Sequence, residues 1–163
     1  MIRVCLFVIS VALASSASFA SGTPSLPDPA LTPGAVFANV TAQDVCVTGY
    51  SRSVRHVTAA TKREVFEAYG VPDGNHTGYC SGAQGCEIDH LVSLELGGSN
   101  DADNLWPQPY DGTWNARMKD RLENHLHRLV CNGSLSLAEA QQAIAHDWIA
   151  AYRRYIGRES AGN

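Results

Sequence analysis

One stretch, residues 87–120, constrains the fold more than any other part of the chain. It reads EIDHLVSLELGGSNDADNLWPQPYDGTWNARMKD. It begins with an apolar run that is compatible with a β-strand, and Gly97-Gly98 follows as a place where the chain can reverse. A short return strand is expected at Leu105 and Trp106, ended by the two prolines that follow. The spacing therefore predicts a β-hairpin.

A helix is predicted directly after this hairpin, from about Gly112 to Val130. Apolar side chains recur there at three- and four-residue steps, which puts them on one helical face: Leu122, Leu126, Leu129 and Val130. We therefore predict an α+β fold with a hairpin-plus-helix core, additional flanking helices and a mostly helical chain overall.

Four polar residues interrupt this apolar unit. Asp89 and His90 are adjacent on the first strand, where successive side chains point to opposite faces unless the strand bends. Asn104 follows His90 by 14 positions, and Asn115 follows it by 25. Asn is common in turns and at helix N-caps, so a purely structural role for these side chains is the alternative.

The pattern resembles the HNH endonuclease motif, the ββα-metal fold, in the variant that has a third Asn in place of a third His. The resemblance rests on the Asp-His pair, the Gly-Gly-Ser-Asn-Asp loop, the Asn-Leu step and the Asn that opens the helix. It covers about 34 of the 163 residues. It implies that His90 is the general base and that Asn104 ties the loop so that His90 faces the phosphate. It also implies that Asp89 and Asn115 bind one divalent ion.

The chemistry implied by the resemblance suits these residue types. Hydrolysis of a phosphodiester needs a base that is neutral near pH 7, which fits an imidazole with a pKa of about 6.5. A cation must offset the charge that develops on the phosphate oxygens. Carboxylate and amide oxygens suit Mg²⁺, with Mn²⁺ as the alternative. Asp111 and Asp120 compete with Asn115 as the second ligand.

Basic residues on the predicted helix are the candidates for contact with a substrate backbone. Arg117 and Arg121 are four residues apart and share a face, whereas Lys119 lies nearer Asn115. A solvated face with Arg–Glu pairing is the alternative. The expected partner is nucleic acid, with DNA favoured over RNA and little sequence specificity.

The net charge limits how tightly such a protein can bind nucleic acid. The chain has 12 Lys and Arg against 16 Asp and Glu, and loss of Arg3 with a signal peptide leaves a charge of about −5. Nucleic-acid binding uses Lys and Arg to displace counterions, so an acidic protein must concentrate its basic groups. The composition leaves open a non-catalytic, disulfide-stapled exported binding module that retains the ββα scaffold.

Residues 1–20 are predicted to be a signal peptide rather than part of the fold. Arg3 precedes an apolar run from Val4 to Leu13, and Ser18-Phe19-Ala20 fits a small-x-small cleavage site. The apolar run is short of the ~20 residues that span a bilayer. We therefore expect a secreted or periplasmic protein, a monomer without a membrane partner after cleavage.

Four cysteines remain after that cleavage, and an even number in an exported chain predicts disulfides. Three pairings are possible. We favour Cys80–Cys86, which closes a short loop before the hairpin, with Cys46–Cys131, which joins the N-terminal part to the end of the helix. A structural zinc site is the rival interpretation.

The remaining segments are predicted from composition and capping patterns. Residues 21–43 are proline-rich and are expected to be an extended, loosely ordered lead-in, and residues 44–163 a single domain. Residues 44–58 are expected to be short extended structure or an irregular arm. Two more helices are predicted, from Thr58 to Gly70 and from Ser136 to Ile156, the second packing on the motif helix.

Overall fold

The structure is a computed structural model that describes residues 25–71, 74, 78–80 and 85–157. The predicted signal peptide lies outside these residues. The fold is α+β, and helices make up far more of the described chain than strands do. The elements in chain order are α1 (Ala42–Val45), α2 (Tyr50–Val54), α3 (Ala59–Ala68), β1 (Tyr79–Cys80), β2 (Cys86–His90), β3 (Leu105–Pro109), α4 (Ala116–Cys131) and α5 (Leu137–Tyr155).

The predicted hairpin is present, but its first strand is shorter than expected. Strands β1, β2 and β3 form one antiparallel sheet in that order, with His90 paired to Leu105 at the end of β2. The strand was expected to continue through Leu96, whereas residues 94–96 form a 3₁₀ turn. The four consecutive residues Leu91 to Leu94 are all buried, which differs from the alternation of a strand with one face in water.

The prolines expected to end the return strand lie within it. Pro107 and Pro109 belong to β3, which is an edge strand. The Tyr110 N–H donates to the Gly85 carbonyl at 2.9 Å, and in an antiparallel ladder only every second residue donates to its partner strand. The nitrogens of Pro107 and Pro109 therefore point away from β2, where no donor is needed.

Helices α4 and α5 pack against each other and enclose most of the core. The capping box predicted at Ser136 and Glu139 is confirmed, with both reciprocal bonds made. The helix is interrupted at Asp147, whose φ of −164° and ψ of 96° are not helical. Asp147 Oδ1 accepts from the Ala150 N–H at 2.9 Å, so it serves as the N-cap of the second half.

The segment predicted to be a loosely ordered spacer packs on the domain instead. Thr32 Oγ1 donates to the Leu105 carbonyl oxygen at 2.9 Å, and Trp148 Nε1 donates to the Ser25 carbonyl oxygen at 2.9 Å. Prolines keep this segment extended, which leaves its backbone groups free to bond to the domain. The folded unit thus begins before residue 44.

Residues 42–54 also differ from the expectation of extended structure, since they form α1 and α2. Thr41 and Asp44 cap α1 reciprocally through their side chains. Gly49 follows with a φ of 87°, a left-handed conformation that lets the chain turn into α2. The Thr41–Asp44 capping pair was present in the sequence and favours a helix, whereas the apolar residues around Cys46 had suggested an extended segment.

Both favoured disulfides are present. Cys46 and Cys131 are bonded with a Cα–Cα distance of 5.6 Å, and Cys80 and Cys86 with 5.0 Å. The first ties the end of α1 to the end of α4, and the second closes the loop before β2. No helix in the described part of the chain is both apolar and long enough to cross a bilayer.

Candidate functional site

The candidate site lies at the end of β2, where the Lys119 side chain of α4 reaches it. Asp89 and His90 are the last two residues of β2, and they pair with Trp106 and Leu105 of β3, both fully buried. His90 is itself only 5 % exposed, whereas the Asp89 side chain is 22 % exposed. The imidazole is therefore held against the core and the carboxylate remains open to solvent.

Asn104 ties together the loop between the two strands. It is fully buried, and its Oδ1 accepts from the Val92 N–H at 2.9 Å. Its Nδ2 donates to the carbonyl oxygens of Val92 and Ser99, each at 2.9 Å. A side chain that fills three hydrogen-bond positions at once fixes the loop directly after His90. This is the kind of tie that the HNH resemblance implies for Asn104.

Asn100 fixes the proton on the His90 imidazole. Asn100 Nδ2 donates to the Val54 carbonyl oxygen at 2.7 Å, and Asn100 Oδ1 accepts from the His56 N–H at 3.2 Å. These backbone partners decide which end of the amide is oxygen. The same Oδ1 lies 3.2 Å from His90 Nε2. Because that oxygen accepts, Nε2 carries the proton of the neutral ring and Nδ1 has the free lone pair.

The pKa of His90 lies below the ordinary imidazole value. Burial is the main cause, because it disfavours the charged ring, and the positive charges of Arg55 and Lys119 act in the same direction. The Asp89 carboxylate and the Asn100 hydrogen bond oppose the shift without cancelling it. His90 is thus a neutral base at pH 7.

Lys119 occupies the space between β2 and α4. Its side chain is 0 % exposed, and its Nζ donates to Asp89 Oδ2 at 2.7 Å, to the His90 carbonyl oxygen at 2.5 Å and to Glu123 Oε1. Burial alone lowers the pKa of the ammonium, but the carboxylates of Asp89 and Glu123 outweigh burial and raise it. Lys119 therefore stays charged and holds Asp89 and the end of β2 in place.

This arrangement departs from the expectation that Lys119 contacts substrate. A fully buried ammonium with three partners cannot reach a polynucleotide backbone. The sequence carried a signal for its position, since Asn115, Lys119 and Glu123 are spaced at four-residue steps and share one helical face. Arg117 and Arg121 lie on the other side of α4 and are exposed, as expected for basic residues available to a substrate.

Asn115 is the N-cap of α4. Its Oδ1 accepts from the Met118 N–H at 3.2 Å, and its Nδ2 donates to the Gly112 carbonyl oxygen at 2.9 Å. Asn115 therefore has the structural role of a helix N-cap, which was the alternative to a catalytic-site role. An amide oxygen has two lone pairs and the cap uses one, so a role as metal ligand stays a prediction.

Three carboxyl groups around the end of β2 influence one another. Burial raises the pKa of Glu87, and the charges of Asp89 and Asp120 add to the shift. Burial likewise raises the pKa of Asp120, and Asp89 adds to it. Tyr110 donates its hydroxyl to Glu87 at 2.8 Å. Repulsion of this kind is relieved when a cation binds among the carboxylates.

The oxygen donors here fit a hard divalent ion. Lys119 holds Asp89 Oδ2, which leaves Oδ1 outside that hydrogen bond. Asn115 retains a lone pair, and Asp120 supplies a further carboxylate near Asp89. Mg²⁺ in proteins is commonly held by one or two carboxylates, with waters completing its shell. These donor types are those that Mg²⁺ or Mn²⁺ prefers, whereas structural zinc prefers sulfur and imidazole, and binding of an ion here stays a prediction.

A second group of ligand-type side chains lies at the far end of α4. Ligand atoms of Cys46, His127 and Cys131 all lie within 4.8 Å of one another. The two sulfurs are joined in a disulfide, and His127 Nε2 lies 3.0 Å from the Val45 carbonyl oxygen. Metals bind thiolates rather than disulfide sulfurs, so the zinc interpretation requires reduction of this bond.

The candidate site is separate from the large cavity of the molecule. That cavity, of about 960 Å³, lies between α5 and the N-terminal segment, and its lining includes Pro29, His146, Asp147 and Arg154. Neither Asp89 nor His90 lines it. The hairpin site therefore lies outside this cavity.

Two functional candidates were missed by sequence analysis. Asn100 was seen only as part of a turn, although its place in the Gly-Gly-Ser-Asn-Asp loop is what brings it to His90. Glu123, which pairs with Lys119, was not singled out from the sequence.

Comparison of the chain with protein-family models, with curated proteins and with solved structures gives no match.

Proposed function

We propose that this protein is an exported, metal-dependent endonuclease of the HNH type. It would hydrolyse phosphodiester bonds of nucleic acid with little sequence specificity, with DNA favoured over RNA. The observation that carries the proposal is His90, a neutral imidazole with a fixed tautomer, at the end of a rigid hairpin and beside an accessible carboxylate. General bases need this combination of pKa and orientation.

His90 acts as the base in this proposal. Its Nε2 donates to Asn100, so Nδ1 is the atom that takes a proton from the attacking water. Burial keeps the ring neutral at pH 7 and ready to accept that proton. Asn104 supports the reaction indirectly, because it holds the loop that follows His90.

Asp89 would hold the divalent ion, with Asn115 or Asp120 as its second protein ligand. When bound, the ion would offset charge on the phosphate oxygens. Lys119 holds Asp89 through Oδ2, which leaves Oδ1 outside that hydrogen bond. Arg55 is exposed and close enough to lower the pKa of His90, so it is available to a phosphate at the same place.

Export of the protein is supported by its cysteines. The structure pairs all four that follow the predicted signal peptide, and disulfides persist in oxidising compartments. This agrees with a secreted or periplasmic nuclease that meets nucleic acid outside the cell.

A non-catalytic binding module is the second candidate. Asn115 is engaged as a helix cap and Lys119 already neutralises Asp89, and both facts favour a purely structural use of the motif. Isothermal titration with Mg²⁺ and Mn²⁺ discriminates the two candidates. A nuclease requires binding that is lost in Asp89→Ala, whereas absence of binding at millimolar concentration supports the module.

The catalytic proposal predicts that His90→Ala abolishes nicking. Loss of a general base costs roughly 10²- to 10⁴-fold in rate. The measurement is conversion of supercoiled plasmid with Mg²⁺ or Mn²⁺, and EDTA is expected to stop it. His146→Ala is the matched control, since His146 is exposed on α5 away from the site. Equal rates for His90→Ala and wild type would remove His90 from the mechanism.

A further inference from the structure

A group of arginines and aromatic rings lies where α4 meets the second half of α5. The Arg121 guanidinium lies 5.8 Å from the ring centre of Tyr152, and the Arg153 guanidinium lies 5.1 Å from that of Trp114. Trp114 and Tyr152 are themselves in edge-to-face contact at 5.5 Å. The two stacked arginines are thus linked through their rings into one patch, which we call the stacked-arginine surface.

The rings leave the charged groups available. An arginine stacked on an aromatic ring uses the face of its guanidinium, and its N–H donors point outward in the plane. Arg121 and Arg153 are exposed, while Tyr152 is buried beneath. Stacking also restricts the side chains before any ligand arrives, which lowers the entropy cost of binding.

No carboxylate neutralises this surface within the part of the chain that is described. The ion pairs there join Lys119 to Asp89 and Glu123, and His127 to Glu95. Arg117, Arg121 and Arg153 have no such partner among the described residues. In a protein of net negative charge, three unpaired arginines on one side form a local positive potential.

The surface and the candidate site lie on opposite sides of the first half of α4. Arg117 and Arg121 flank Lys119 by two residues on either side, which is about 3 Å along the helix axis. Trp114 directly precedes the Asn115 cap. The two stand at the same level along α4, with the candidate site on the side of β2 and the arginines on the side of α5, which supplies Arg153.

We propose that the stacked-arginine surface binds the phosphate backbone of the polynucleotide substrate. The proposal rests on the proposed function in taking the partner to be a nucleic acid. It assigns Arg153 of α5, which lies far from the motif in sequence, to substrate binding beside Arg117 and Arg121. Phosphate oxygens match the fork of donors that a guanidinium presents.

Binding without cleavage tests this surface independently of catalysis. A fluorescein-labelled oligonucleotide duplex is titrated with protein in EDTA, and the anisotropy gives Kd at several salt concentrations. Arg121→Gln/Arg153→Gln is expected to raise Kd about 10-fold and to make the slope of log Kd against log salt shallower by about 2, one for each lost phosphate contact. Circular dichroism checks that the variant is folded.

Two controls sharpen the test. Arg63→Gln removes an exposed charge on α3, away from the surface, and is expected to leave the salt slope unchanged. Arg121→Lys/Arg153→Lys keeps the charges and is expected to recover most of the slope. The proposal is overturned if the Gln double variant keeps the wild-type slope, if Arg63→Gln matches it, or if polyglutamate displaces the duplex as well as unlabelled DNA does.

The outcome separates the surface from the nuclease. If wild type binds the duplex more tightly than the Gln double variant does but never cleaves it, the nuclease proposal fails and the surface proposal is supported. If wild type cleaves the duplex and the Gln double variant binds it as tightly as wild type, the surface proposal fails and the nuclease proposal is unaffected.

Discussion

At the scale of single residues, the environment of His90 decides what it can do. An exposed imidazole with a pKa near 6.5 is partly charged at pH 7, and a charged ring cannot accept a proton. His90 avoids this because burial and the nearby cations Arg55 and Lys119 disfavour the charged form. Asn100 then selects the tautomer through one hydrogen bond.

Arg55→Gln is predicted to move the acidic limb of the activity profile to higher pH. The positive charge of Arg55 lowers the pKa of His90, so removing it raises that pKa. Activity needs the neutral ring and is lost as the pH falls through the pKa, so the loss begins at higher pH in the variant. The measurement is kcat/KM against pH for cleavage of an oligonucleotide.

Arg52→Gln is the matched control for that experiment, since Arg52 is exposed one turn earlier on α2 and does not contribute to the His90 shift. If the acidic limb of the pH profile does not move in Arg55→Gln, or moves equally in both variants, Arg55 does not lower the pKa of His90 as assigned.

Asn104→Asp is predicted to destabilise the fold by about 2–4 kcal/mol. The change keeps the acceptor for the Val92 N–H but turns an oxygen toward the carbonyl groups of Val92 and Ser99, which then lose their donor. Urea unfolding followed by circular dichroism measures the loss. Asn124→Asp, on the exposed face of α4, is expected to stay within about 0.5 kcal/mol. Similar losses in both variants would show that the three bonds of Asn104 contribute little.

At the scale of elements, α4 performs a separate task on each of its faces. Its inner face carries Lys119 and Glu123, which anchor the end of β2. Its outer face carries Arg117 and Arg121, which are exposed. Neighbouring residues on one helix thus belong to opposite environments, because each step turns the side chain by about 100°.

Lys119→Met is predicted to cost about 3–5 kcal/mol of unfolding free energy, since it leaves Asp89 and Glu123 facing each other without a cation. Chemical denaturation gives the value. Lys119→Met/Glu123→Leu is expected to recover part of the loss, because the buried charge is removed with its partner. Arg117→Met serves as the exposed control on the same helix and is expected to be nearly neutral. A double variant no more stable than the single one would argue against this coupling.

At the scale of the whole molecule, long-range links hold the site's scaffold together. The Cys46–Cys131 disulfide spans 85 residues and joins α1 to α4. The N-terminal segment crosses the domain, from the Ser25 contact with Trp148 to the Thr32 contact with Leu105. The strands and helix of the site therefore depend on residues well outside the motif.

The two disulfides are predicted to differ in their contribution to stability. Loop entropy gives about 4.5 kcal/mol for a separation of 85 residues and about 2 kcal/mol for one of 6. Cys46→Ser/Cys131→Ser is thus expected to lower the urea midpoint more than Cys80→Ser/Cys86→Ser does. The comparison is made on oxidised proteins whose remaining disulfide is verified by intact mass. A larger loss from the shorter loop would contradict the entropic argument.

The candidate site was predictable where the signal is local. The spacing of His90, Asn104 and Asn115 identified the residues of interest, and the hydrogen bonds of Asn104 agree with a loop-tying role. The burial of Lys119 was not predicted, because a lysine in a charged helix ordinarily faces water. Glu123 is its neighbour on the same helix, but Asp89 and the His90 carbonyl oxygen become its partners only when α4 packs against the end of β2.

The sequence alone predicted the hairpin, the helices α3, α4 and α5, the capping box of α5, and the disulfide pairing as the favoured one of three, because side-chain periodicity, local hydrogen bonds and loop length are visible in the sequence. Tertiary structure decided what local pattern cannot encode. It placed residues 25–41 on the domain, ended β2 at His90, buried Lys119 and brought Arg153 to the arginines of α4. Those outcomes depend on which surfaces meet, and contacts between residues distant in the chain are set only when the core packs.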